Sequence, residues 1–148
     1  MEIHYRIIKM EESGFMFNHD FDHEKIDIDM VNYQFSHQLK AFPERNSLNL
    51  TMSVEITPAK SNEVIAKEML FCIFWINPFE KVIQIKDNRL TTSEPILIDT
   101  FFNIMIGAIR GLLVKNLKGT FLEGSVLPLI PMDIIRMNSI QESPMKEE

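Results

Sequence analysis

Cysteine is nearly absent from this 148-residue sequence. Cys72 stands alone inside an apolar run, so no internal disulfide can form and packing must hold the fold. Glycine is scarce as well, with five in the chain. No glycine-rich phosphate loop occurs, nor any nucleophile elbow or zinc-ligand spacing. Positive charge is in deficit: 15 Lys and Arg face 21 Asp and Glu, for a net charge of −6. With no basic stripe to offset that balance, nucleic acid is not an expected partner. The start, MEIHYRIIKMEE, has neither the basic nor the apolar segment of a signal peptide. Together with the single cysteine, this leads us to expect a cytoplasmic protein, and the missing catalytic motifs lead us to expect no enzyme and no cofactor.

What the chain does have is apolar side chains in ordered patterns. Hydrophobic residues make up 45% of it, including ten Met and eleven Phe, a pairing that suits surfaces accepting varied partners. The length allows one domain with a substantial core, expected over residues 1–137. The polar tail NSIQESPMKEE, residues 138–148, is expected to be disordered.

Residues 3–10 read as a strand that 14–17 could continue after a bulge. Residues 19–29 form an acidic loop or edge segment. Val31, Tyr33, Phe35, His37, Leu39 and Ala41 then alternate with polar residues, as do Leu48, Leu50, Met52, Val54 and Ile56. The short turn Pro43-Glu44-Arg45-Asn46 joins these strands into an antiparallel hairpin. A fourth strand over 64–76 contains MLFCIFWI, apolar on both faces, as expected where both faces are covered. Residues 81–86 read as a short strand or part of a loop.

Residues 94–119 follow as one long helix, with Ser93 as N-cap, Pro95 just inside the start and Gly119 at the C-cap. On a helical wheel Asp99, Thr100, Asn103, Gly107, Arg110, Gly111, Val114 and Lys118 occupy an arc of about 120°. The rest of the wheel is almost wholly apolar. A membrane span has the right length, roughly 20 residues. Asp99, Asn103 and Arg110 in its interior, and the lack of a basic flank, argue against insertion. The preferred reading is a helix with a sheet on one side and a protein partner on the other. Asn103, Gly107, Arg110, Gly111 and Val114 would face that partner, the two glycines allowing close backbone approach.

The fold class is therefore α+β: a four-stranded antiparallel sheet, a long helix packed on it, and a short C-terminal helix begun by Pro131 and Asp133. Candidate chemistry is thin. His19, Asp20, Asp22, His23 and Glu24 lack both helical phasing and the glycine of a calcium loop, so no metal site is expected. His37 fits a half-buried, hydrogen-bonded histidine, and Cys72 an inert core thiol. More informative is the apolar stretch after the helix, interrupted by Pro128 and Pro131, which cannot enter a central strand. It either seals the core or walls an apolar groove for extended polypeptide.

At these residues the sequence resembles the SecB-like export chaperones. Gly119-Thr120-Phe121 matches the family's helix end, Pro128 follows nine residues later as in the family loop, and the element order agrees over residues 3–136. The resemblance implies a homotetramer, a dimer of dimers with the long helices sandwiched between sheets. It also implies an ATP-independent holdase that keeps unfolded polypeptide clients in apolar grooves, in protein export or as an antitoxin chaperone. Phe121, Leu122, Leu127, Leu129 and Ile130 are groove candidates by position, and Phe42 and Trp75 by aromatic character. The sequence departs from the family in its bulky MLFCIFWI strand and in Pro131, where an aromatic is usual. The tail carries neither cysteine nor histidine, so a zinc-dependent contact with the translocase motor ATPase is not supported. An adaptor holding one dedicated partner, or a small-molecule or lipid carrier, would use the same apolar surfaces.

Overall fold

The computed structural model describes residues 2–22, 24 and 30–133. His23, residues 25–29, the body of the expected C-terminal helix and the polar tail lie outside the described residues. Four long strands come first: β1 (His4–Phe17), β2 (Val31–Phe42), β3 (Ser47–Pro58) and β4 (Ala66–Asn77). A one-turn helix α1 (Phe79–Val82) and a hairpin of β5 (Ile83–Lys86) and β6 (Arg89–Thr92) lead to the long helix α2 (Pro95–Asn116). The α+β architecture expected from the sequence is present.

The large sheet is antiparallel throughout, in the order β1-β4-β3-β2. β2 and β3 pair without a slip, and the turn between them is a short 3-10 segment closed by Asn46 in the left-handed region at φ 55°. Asparagine tolerates that conformation better than most residues. β1 continues across the expected bend, with register shifts at Ile7/Lys9 and Glu12/Gly14 that leave Ile8 and Ser13 unpaired.

Alternation fixes which side chains meet the helix. Leu48, Leu50, Met52, Val54 and Ile56 of β3 share one face with Leu70, Cys72, Phe74 and Ile76 of β4, and all are buried. The helix covers this face with Phe101, Phe102, Met105, Ile106, Ile109 and Leu113. Near its start Phe101 stacks on Phe74 with ring centroids 3.9 Å apart. At its end Asn116 bonds to Glu68, so the helix runs antiparallel to β4.

The helix start differs from expectation. Glu94 takes the N-cap position without a side-chain bond to the helix. Ser93 is engaged elsewhere, its hydroxyl donating to the Lys81 carbonyl at 2.6 Å. The β5–β6 hairpin draws Ser93 back toward α1, a non-local contact that local sequence does not reveal. The C-cap is Leu117, and Gly119, at φ 82°, supplies the left-handed turn two residues later. Ile96 and Val114 are exposed.

Candidate functional site

The segment after α2 is built as two linked turns. Thr120 donates its hydroxyl to the Leu117 carbonyl at 2.7 Å and accepts from the Leu122 amide. Glu123 reaches back to accept from the Gly119 amide at 2.8 Å. Gly124, at φ 91°, makes the second reversal. Ser125 then sits 3.2 Å from the Tyr33 hydroxyl on β2, which brings the segment onto the helix-covered face of the sheet. Beyond it the backbone is clamped from the helix. Arg110 donates Nε to the Leu127 carbonyl and Nη2 to the Pro128 carbonyl, each at 2.9 Å. One guanidinium thereby satisfies two carbonyls that no strand pairs.

This clamp divides the expected groove residues. Leu122 and Leu127 are fully buried and belong to the core. Phe121 is half-buried, stacked on Phe21 at 6.0 Å and edge-on to Phe17 at 5.6 Å. Ile130 is half-buried, whereas Val126 and Leu129 project outward, Leu129 with 89% of its surface exposed. Leu122 and Leu127 thus help seal the core, while Val126 and Leu129 face solvent. Phe42 and Trp75 lie elsewhere. Ser47 pairs with both, and they occupy the sheet face opposite α2. Their aromatic character carried no information about which face they take.

The proposed contact arc on α2 is open in this subunit. Asn103, Gly107, Gly111 and Val114 are exposed. A methyl group added at either glycine would meet nothing within 4 Å. Arg110, by contrast, is committed to the post-helix segment. β1 forms one edge of the sheet and exposes Tyr5, Ile7, Ile8 and Met10.

Sequence reasoning passed over one buried polar cluster. Glu68 of β4 lies in phase with Leu70 and Cys72 and is fully buried. Asn116 donates Nδ2 to Glu68 Oε1 at 2.8 Å and to Glu12 Oε2 at 2.7 Å. Glu68 Oε2 is buried and meets no geometrically sound hydrogen-bond partner among the described residues. Burial, followed by the nearby Glu12 carboxyl, pushes the Glu68 pKa up to about 8. Burial likewise pushes the Cys72 thiol up to about 11, leaving it protonated and inert. His37 is half-buried with its ring edge-on to Phe102 at 4.9 Å. Among the described residues no group of three metal-ligating side chains comes together.

Neither a family model nor a curated protein sequence matches the chain. Among solved structures it is similar to Mycobacterium tuberculosis Rv1957, a SecB-like chaperone in complex with a ChAD peptide from the Rv1956 HigA1 antitoxin. The TM-score is 0.54 at 10% identity, over 86% of this chain and 88% of that one. At that identity the likeness establishes a SecB-like fold.

Proposed function

We propose that this protein is an ATP-independent holdase, binding non-native polypeptide on the apolar surface around the post-helix segment. The observation that carries this reading is the outward display of Val126 and Leu129 on a backbone clamped by Arg110. A fixed apolar ledge offers contact area without a unique hydrogen-bond pattern, and its fixed position limits the ordering cost of binding. The bound peptide in the Rv1957 complex supports polypeptide as the partner class. In this reading the protein is cytoplasmic and works as a dimer of dimers. The exposed β1 edge and the open face of α2 are the surfaces through which copies would meet. A dedicated adaptor is the second reading, favoured by the antitoxin origin of the peptide that Rv1957 holds.

The test is light scattering of a chemically denatured reporter protein at stoichiometric amounts of the wild type. Val126→Asp/Leu129→Asp is the comparison, since both side chains are exposed and the fold should tolerate the change. Suppression by wild type that falls in this variant at unchanged molecular mass supports the holdase. No suppression across several reporters overturns it. Tight binding of one peptide without general suppression selects the adaptor.

A further inference from the structure

The face of the large sheet opposite α2 has an order of its own. Along β4 the side chains of Met69, Phe71, Ile73 and Trp75 form a half-buried apolar ridge. Beside it on β3 stand only short polar residues, Ser47, Asn49, Thr51 and Ser53. On the far side β2 sets the longer Gln38, Lys40 and Phe42 across from Thr51, Asn49 and Ser47. Two strand spacings separate the walls, about 10 Å, the width of one extended chain. The result is a trough with an apolar wall and a polar floor.

Charge on this face opposes that of the chain. Its strand residues include Arg6, Lys9, Lys40 and Lys67 against Glu11 and Glu55. Each of those acids already has a cation: Lys9 is 3.7 Å from Glu11 and Lys67 is 3.6 Å from Glu55. At the Trp75 end the balance is different. Arg6 lies over the Trp75 ring at 4.9 Å and Arg45 over the Phe42 ring at 5.4 Å. Both arginines are exposed, and the ion pairs among the described residues include neither. A protein of net charge −6 thus gathers two exposed guanidinium groups beside two aromatic rings at one end of the trough.

We propose that this trough is a docking site for an extended, acidic polypeptide segment. Its apolar side chains lie on Trp75, Ile73 and Phe71, and its carboxylates meet Arg6 and Arg45. Charge complementarity selects this occupant, because acidic residues are favoured here and repelled by the acidic remainder of the protein. A second copy matches this end less well, since the strand carboxylates of the same face, Glu11 and Glu55, are already paired with Lys9 and Lys67. The site extends the polypeptide-binding reading to a second, charge-selective surface, distinct from the Val126/Leu129 ledge.

Trp75 is the chain's single tryptophan, so its emission reports on this face alone. The full-length protein is titrated with a synthetic peptide alternating Glu and Leu. Parallel titrations use the same peptide with Lys for Glu and an oligothymidylate. The expected result is a saturable emission change with the Glu peptide that weakens with added salt. Binding should be about tenfold weaker in Arg6→Gln/Arg45→Gln, equivalent to about 1.4 kcal/mol. Circular dichroism checks that the variant retains its fold. No emission change, or an equal response to the Lys peptide, overturns the site. An oligothymidylate response as strong as the Glu peptide's overturns it in favour of nucleic acid. A shift on dilution alone overturns it in favour of a second copy. Aggregation suppression by wild type under the same conditions separates failure of this site from failure of the holdase reading.

Discussion

Glu68 is the residue whose burial runs furthest against its chemistry. In β4 it holds the place in the alternation that Leu70 and Cys72 hold after it, so its inward direction follows from the strand's phase. What the phase does not provide is its partners, Asn116 at the end of α2 and Glu12 on β1, which only the folded chain brings together. A carboxyl with a folded pKa of about 8 keeps a proton that the unfolded chain releases above about 4.5. The native state therefore binds more protons across that interval, and stability falls as pH rises through it. The slope contributed by one such group is at most about 1.4 kcal/mol per pH unit. Glu68→Gln keeps the shape and removes the ionisation. Its thermal midpoint should exceed that of wild type above pH 8 and converge with it near pH 4.5. Parallel midpoint curves for the two proteins across this range would show that Glu68 is not the titrating group.

Among the elements, those with strong local patterns were legible and those set by distant contacts were not. The β2–β3 hairpin is written in ten alternating apolar positions and a Pro-to-Asn turn, and it forms with no register slip. The helix Pro95–Asn116 falls inside the expected 94–119. The β5–β6 hairpin carries a weaker signal, a turn through Asp87 and Asn88, both in the left-handed region. Asparagine and aspartate are the non-glycine residues that most readily adopt that geometry. The post-helix segment was legible as irregular and apolar, but its clamp was not. Arg110 reads as part of an outward-facing arc, and only the fold turns it toward the Leu127 and Pro128 carbonyls. Arg110→Ala should cost about 1–3 kcal/mol, the usual effect of losing charged hydrogen bonds. Amide exchange should accelerate locally in residues 125–130. An unchanged exchange rate there would mean that Leu122 and Leu127 hold the segment without the clamp.

For the whole molecule, the unresolved question in the sequence was what covers the second side of an almost wholly apolar helix. Within the chain, Phe101, Phe102, Met105, Ile106, Ile109 and Leu113 of the helix are buried, while Gly107 and Gly111 face open space. Glycine inside a helix costs about 1 kcal/mol relative to alanine. Two glycines one turn apart on an exposed face therefore weaken the single chain, and the dimer of dimers proposed above would give them a use by letting another backbone come close. Gly107→Ala/Gly111→Ala separates these two effects. At high dilution, where subunits are apart, the variant should melt higher than wild type. If copies meet through this face, mass action should stabilise the wild type at high concentration, and its midpoint should rise more steeply with concentration than the variant's. Two midpoints independent of concentration, with the variant higher throughout, would place this face of α2 in solvent and remove the dimer of dimers from the proposed function.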